Sequence, residues 1–479
     1  MGRDPTQGDS VTTELSADYV IVGTGAVGMA FADVIVSESD ATLIMIDRYA
    51  KPGGHWNVAY PFVQLHQPAS FYGVSSMELS NGRHESGGFN DGLEELSSGP
   101  AVAAYFDEVM RHHLLPSGRV QYFPMCDYTG DGTFVSKVTG ERFHATAHRK
   151  TVDCTHLNTS VPSTHTPNFA IDDRVRFMPL NDLPTITERP DRYVVIGAGK
   201  TGIDACLWLL TNGVDPTDIT WIKNRDAWLI DRRNAQMTAP FFFDTMGAQV
   251  GMMRSIVDAD DPDDMFWRLE ACGYFVRIFD DVEPEMFHAA TISRPEIDAL
   301  RQIEDVVRLG YVTEIGPDRI TLERGTVPTT PNTVHIDCSA RAVPNNTTKP
   351  IFEEGLITPQ MTRPYQPAFS AALIAHVELN YDTDVDLNRL CGVVPLPNAR
   401  EDFIRFSAAG MMNQYQWSLD RDLSSWISSN RLDGASKLIA TIAPDETDKA
   451  QLMLDLRDLA PQAAMKLFGW VAELDAAEG

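Results

Sequence analysis

The chain has 479 residues, 43% of them hydrophobic and 22% charged, a balance that builds two or three globular domains with sizeable cores. Its formal net charge of −28 argues against a partner held by its phosphate backbone, since binding DNA or RNA needs Lys and Arg to displace counterions. The same excess of acid argues against an anionic membrane surface, and no run of about 18 apolar residues exists to span a bilayer.

The opening stretch, "MGRDPTQGDSVTTELSA", reads as a polar tail ending near Ser16, with no apolar signal core. Tyr19, Val20, Ile21 and Val22 then form a short apolar strand. Gly23, Gly25 and Gly28 follow with GxGxxG spacing, and Ala26 opens a helix. The first glycine makes a tight turn, the second lets a pyrophosphate approach the backbone, and the third lets helix and strand pack closely. The helix N-terminus adds free N–H groups and a positive dipole end. A second strand, "TLIMID", ends at Asp47, 24 positions after Gly23, followed by Arg48. An acid there suits ribose hydroxyls. Gly53, Gly54, His55 and Trp56 come next, a chain folding back over a flat ring system.

Further along, "ERFHATAHRKTVD" reads as a strand. His144 and His148 then lie about 13 Å apart, too far to share a metal ion. Behind the strand "RYVVI", Gly197, Gly199 and Gly202 repeat the glycine pattern, with Lys200 and Thr201 between them. A P-loop is excluded because its first glycine position holds Val194. The helix runs to about Leu210. The next strand, "ITWIKN", ends in Lys223 with Arg225 beyond it rather than in an acid, which suits a 2′-phosphate and favours NADPH over NADH. Asp226 beside them leaves a surface ion pair as the alternative. Two unlike nucleotides in one chain imply an electron relay between a bound flavin and a nicotinamide.

These motifs resemble the two-dinucleotide-binding flavoproteins, and within them the flavin-containing (class B) monooxygenases. The resemblance rests on "GTGAVG", Asp47, "GGHW", Tyr60-Pro61 and "GAGKTG", and spans roughly residues 16 to 345. It implies an α/β fold of two Rossmann-like dinucleotide-binding domains, the FAD domain interrupted by an NADP domain, plus C-terminal helices. The expected division is 16–160 for the first part of the FAD domain, 161–334 for the NAD(P)H domain, 335–410 for the return, and 411–479 for a helical extension. The near-repeats "TVDCTHLNTSVP" and "TVHIDCSARAVP" mark the two joints. The chain departs from the class B signature FxGxxxHxxx(F/Y): Pro179 stands at the Gly position and Leu183 at the His position.

The resemblance also implies a C4a-peroxyflavin, FAD and NADPH as cofactors, and O2 with a small organic molecule as substrates. The reaction expected is N- or S-oxidation or Baeyer–Villiger insertion. An amide past "GGxW" belongs near the flavin, and Gln67 is the candidate, with Gln64 and His66 beside it. His55 is a second candidate donor, against a packed structural role. Arg232, with Arg233, is a candidate charge partner for the nicotinamide or an oxygenated flavin, against a solvated cationic pair. The rivals are a flavin reductase or dehydrogenase that never oxygenates, and a non-catalytic redox sensor. Disulfide reduction is set aside, because Cys126, Cys154, Cys206, Cys272, Cys338 and Cys391 form no CxxC or CxxxxC pair. Scattered thiols suit a reducing cytoplasm. The sequons at Asn158, Asn345 and Asn346 read as chance matches.

Of the remainder, residues 237–255 are rich in Phe and Met and read as core or as a tunnel lining. "RPEIDALRQIEDVVRLG" reads as an amphipathic helix, and "RITLERG" as a strand. A helix is expected from about Pro367. Two short helices end the chain, the second beginning at Pro461. They are expected to cover the FAD domain, cap the site or make a homodimer contact.

Overall fold

A computed structural model describes residues 12–80, 82–157, 159–341 and 347–478. The three sequons lie outside them. Strand β1 (Thr12–Val22) leads into α1 (Ala26–Glu38), and β2 (Leu43–Ile46) lies parallel beside β1. After α2 (Gly99–Val109) come β3 (Val120–Phe123), the hairpin β4 (Cys126–Gly130) and β5 (Thr133–Ser136), and the long β6 (Arg142–Asp153). β1 begins earlier than the expected end of the tail. Thr12 to Ala17 are already extended and pair in register with Arg142 to Ala147 of β6, so the ladder orders them.

A second unit follows. It contains β7 (Ala170–Ile171), β8 (Arg176–Pro179), β9 (Tyr193–Ile196), α3 (Lys200–Thr211), β10 (Ile219–Ile222) and β11 (Ala227–Asp231). Next are α4 (Phe242–Asp258), α5 (Pro262–Ala271), β12 (Phe275–Val276), β13 (Met286–Ile292) and α6 (Arg294–Leu300). The unit closes with β14 (Val306–Val307), β15 (Val312–Ile315), β16 (Arg319–Leu322), β17 (Gly325–Pro328) and β18 (Val334–Asp337). The helix expected from residue 294 stops at Leu300. Beyond it, the β-branched pair Val306–Val307 extends the sheet beside β10 instead.

The chain then rejoins the first sheet through β19 (Phe352–Glu353) and β20 (Leu356–Ile357), with β20 parallel to β6. The parallel strands of that sheet run β3-β2-β1-β6-β20, the strand order of a dinucleotide-binding half. The second sheet runs β14-β10-β9-β18-β8, all parallel. Strands β2 ("LIMI") and β10 ("ITWI") are fully buried, as parallel strands covered on both faces must be. The architecture is therefore α/β, with two Rossmann-like units, one inserted into the other. Helix α7 (Pro367–Asn380) packs on α1, and both are apolar nearly all round because each lies between a sheet and a helix.

The C-terminal region is α8 (Asp384–Leu390), α9 (Asp402–Ser418), α10 (Arg421–Ser429), α11 (Ala435–Ala440) and α12 (Thr447–Glu478). Here the expectation of two short helices fails. α12 runs through Pro461 as one helix of 32 residues. A proline removes one backbone hydrogen bond at a cost of about 3 kcal/mol. Ala463, Leu467 and Trp470 pack into a core shared with α4 and α9, and this burial offsets it. The C-terminal helices brace both units. Lys466 donates to the Val257 and Ala259 carbonyls at the end of α4. Arg431 donates to the carbonyls of Ser70, Tyr72 and Val74 in the first unit. The 237–255 segment is mostly α4, and its buried Ala248, Met252 and Met253 join that same core. Among the described residues no helix is long and apolar enough to cross a membrane.

Candidate functional site

The two glycine turns have the same construction. In each, the third glycine sits so close to the carbonyl oxygen of the first that a Cβ would collide with it: Gly28 on Gly23, and Gly202 on Gly197. Both first glycines have φ in the region that side chains avoid, +92° at Gly23 and +145° at Gly197. Each turn also abuts the end of the neighbouring strand. Cys154 N–H donates to Val22 O at 2.9 Å, and Cys338 N–H donates to Ile196 O at 2.9 Å.

The near-repeat therefore has a structural meaning. Asp153 Oδ1 accepts from Thr155 N at 2.9 Å and Thr155 Oγ1 at 2.6 Å; Asp337 Oδ1 accepts from Ser339 N at 2.9 Å and Ser339 Oγ at 2.6 Å. The two Asp-Cys-Thr/Ser segments are matching Asx turns ending β6 and β18. Both stand at the point where strand order reverses, the crevice in which such sheets bind ligands.

Beside the first turn, Gly53 N–H donates to Thr24 O at 2.8 Å, and Gly54 backs onto Gly25 so closely that a Cβ would lie 2.9 Å from its Cα. Asp47 is buried at the end of β2. Its Oδ2 accepts from Thr24 N at 2.6 Å and Thr24 Oγ1 at 2.7 Å, and its Oδ1 from Tyr49 N at 2.8 Å. The acid thus braces the turn. Arg48 follows it, and the Arg48 carbonyl accepts from Lys137. Ala26 is the first residue of α1.

His55 lies against Trp56, with ring centroids 4.9 Å apart, and Trp56 Nε1 donates to Tyr72 Oη at 2.9 Å. Burial pushes the His55 pKa down to about 4, so the ring is neutral at physiological pH. Gln67 Nε2 donates to Phe71 O at 3.2 Å, so its amide N–H is held by its own loop. His66 is also pushed down to about 4, by burial first and by the Lys200 charge second.

At the second turn, a Cβ on Gly199 would meet nothing within 4 Å. Lys200 pairs with Asp204 one helical turn on, and Tyr60 Oη donates to Asp204 Oδ2 at 2.6 Å. Tyr60 of the "YP" dipeptide thereby ties the first unit to α3. Lys223 corrects the sequence reading. It is 1% exposed, pairs with Asp226 Oδ1 at 2.8 Å, and lies over the Trp221 ring at 4.4 Å. Burial lowers its pKa. This ammonium belongs to a buried ion pair rather than to an open phosphate site. Arg308, which the sequence reading missed, donates its Nε to Asp226 Oδ2 at 2.8 Å from the end of β14. No local motif flags Arg308, because only the β10–β14 pairing brings it there. Arg225 is nearer the surface, and its guanidinium donates to Asn398 Oδ1 at 3.1 Å.

Arg232 and Arg233 are not one solvated pair. Arg233 is exposed and pairs with Asp244 at 2.6 Å. Arg232 is 2% exposed and pairs with Glu296 Oε2 at 2.9 Å. Burial alone would raise the Glu296 pKa, but the Arg232 and Lys200 charges and the Ser293 N–H outweigh it and hold the carboxyl well below its usual range. The 84–94 segment of the first unit closes over this region. Asn90 Nδ2 donates to Glu296 Oε1 at 3.2 Å, Ser293 Oγ to Phe89 O at 3.1 Å, and Glu94 N–H to Gln236 Oε1 at 2.9 Å. The structure thus brings Lys200 and Arg232 to one seam between the units. Gln67, whose neighbour His66 accepts at its carbonyl from Thr291 Oγ1 at 2.7 Å, is tied to the same seam through β13. Leu183, at the His position of the departed signature, is 1% exposed in the core of the second unit. Among the described residues no three His, Cys, Asp or Glu side chains are placed to hold a metal ion, and all six cysteines are free thiols.

No family model matches the chain. The uncharacterized protein Rv2000 of Mycobacterium tuberculosis (strain H37Rv) is 44% identical over 448 residues, covering 94% of this chain and 82% of that one. The uncharacterized protein Mb2023 of Mycobacterium bovis matches with the same figures. The chain belongs to their family. Among solved structures, this member of the family is similar to a mutant flavin monooxygenase from Stenotrophomonas maltophilia, at TM-score 0.44 and 14% identity over 79% of this chain and 100% of that one. It is also similar to a closed crystal structure of cyclohexanone monooxygenase, at TM-score 0.47 and 12% identity over 92% and 98%. A bacillithiol disulfide reductase from Staphylococcus aureus gives TM-score 0.44 and 13% identity over 76% and 98%. At such scores the overlay adds nothing to the strand order, glycine turns and crevices described above.

Proposed function

We propose that the protein is an FAD- and NADPH-dependent oxidoreductase and, within that class, a monooxygenase acting on a small organic molecule with O2. The observation that carries this reading is the pair of equivalent glycine turns at the switch points of two sheets, one followed by Asp47 and the other by Arg225.

The residues present fit both cofactors. At the first turn, Gly23, Gly25 and Gly54 leave the α1 N-terminus free of side chains, so these residues would hold the FAD pyrophosphate, with Asp47 toward the ribose. At the second, Gly199, Lys200 and Thr201 would hold the nicotinamide dinucleotide, and Arg225 its 2′-phosphate. A bound flavin would accept hydride from the nicotinamide and pass electrons on to oxygen. The chain's own part is to position and to exclude water. Trp56 and neutral His55 wall the first site, and the 84–94 segment covers the seam.

A second reading, a reductase without oxygenation, has one observation in its favour. Pro179 and the buried Leu183 offer no imidazole where the class B signature places one. The test supplies the FAD-loaded protein with NADPH and O2 across a panel of small sulfides, amines and ketones. Oxygen transfer to any of them, with peroxide release falling below NADPH consumed, supports the monooxygenase. Stoichiometric peroxide with every compound decides for the reductase, and no flavin bleaching by NADPH removes both.

A further inference from the structure

A cavity of about 380 Å³ lies along the outer face of α3, between that helix and the 62–65 and 85–90 segments of the first unit. Its volume is that of a small-molecule site. One wall is aromatic, with Phe62 stacked on Trp208 at 5.2 Å between centroids and 24° between planes. Phe89 and Leu207 add apolar surface. The floor holds two ion pairs, Lys200–Asp204 and Arg232–Glu296.

The hydrogen bonding of that floor is unbalanced. Every carboxylate oxygen is already engaged by the protein. Asp204 accepts from Lys200 and Tyr60, while Glu296 accepts from Arg232, Asn90 and Ser293 N–H. The cations differ in what they leave free. Lys200 uses one acceptor and keeps donors for a ligand, whereas Arg232 Nε, though unpartnered, is sealed from the cavity. Each pair is neutral, and Glu85 at the rim adds negative charge, so the cavity carries no net positive charge. A flat apolar body suits the wall, and an accepting oxygen suits the floor.

We propose that this cavity binds an uncharged aromatic small molecule through a hydrogen-bond-accepting oxygen directed at Lys200. Binding there needs neither cofactor, so it stands or falls apart from the oxidoreductase reading.

The test is calorimetric titration of the full chain, free of added cofactor, with acetophenone, ethylbenzene and benzoate. The first two differ only by a carbonyl in place of a methylene. Saturable acetophenone binding is expected, about ten- to a hundredfold tighter than either comparison compound, as one hydrogen bond to a charged donor gives. Trp208→Ala removes the aromatic wall and should abolish binding. Thr211→Trp, at an exposed rim position, should block the cavity while leaving the fold intact. Lys200→Met should narrow the gap between acetophenone and ethylbenzene. The proposal is overturned if acetophenone does not saturate, if ethylbenzene binds equally well, or if folded Thr211→Trp binds like the wild type.

Discussion

Arg232 and Glu296 meet at 2.9 Å where the two units join, and each is at least 95% buried. Such a pair adds little net stability over an apolar substitute, but breaking it leaves one charge without compensation. Arg232→Met should therefore cost about 3–5 kcal/mol in denaturant unfolding, and Arg232→Met with Glu296→Met together should recover most of it. Recovery failing in the double variant would show that the arginine acts through packing instead.

The same carboxyl sets a pH dependence. Its pKa is depressed in the folded state, so its contribution is present above the usual carboxylate range and is lost as pH falls below about 4.5 toward the folded value. Glu296→Gln should flatten that acid limb of the stability curve. An unchanged limb would assign the acid sensitivity to other carboxylates.

Glycine substitutions separate folding from cofactor binding. Gly28→Ala and Gly202→Ala drive a Cβ into the carbonyls of Gly23 and Gly197 and should lower the melting temperature sharply. Gly199→Ala has open space and should melt like the wild type. It should nonetheless weaken NADPH binding at least tenfold, measured by fluorescence titration, because the methyl occupies the pyrophosphate approach.

Lys223 and Arg225 should behave differently. Lys223→Met removes one of two cations holding Asp226 and should destabilise the fold while leaving the NADPH-to-NADH preference unchanged. Arg225→Ala should leave stability within about 0.5 kcal/mol and shift the preference toward NADH. Steady-state kcat/KM with both nucleotides, beside unfolding curves, decides it.

Arg431 grips the Ser70, Tyr72 and Val74 carbonyls at 2.8, 2.6 and 2.8 Å. Arg431→Met should cost about 2 kcal/mol or more and raise hydrogen exchange across residues 69–76. Exchange unchanged there would mean that neighbouring contacts, such as Asn430 to Ser75, hold the loop alone.

The strand–turn–helix units were legible in the chain because their signals are local. A glycine that must face a carbonyl, an apolar run covered on both faces and an acid closing the next strand all lie within about 25 residues of one another. The departures at Pro179 and Leu183 were equally readable. Residues whose role depends on distant partners were not. Lys223 reads as a phosphate ligand until β14 brings Arg308 to Asp226 and burial claims the ammonium. Arg232 reads as a cofactor charge partner or a solvated cation until α6 delivers Glu296, and Pro461 reads as a helix start until the shared core offsets its missing hydrogen bond. Burial and long-range pairing are properties of the packed chain, set by which surfaces meet, and local spacing carries no record of them.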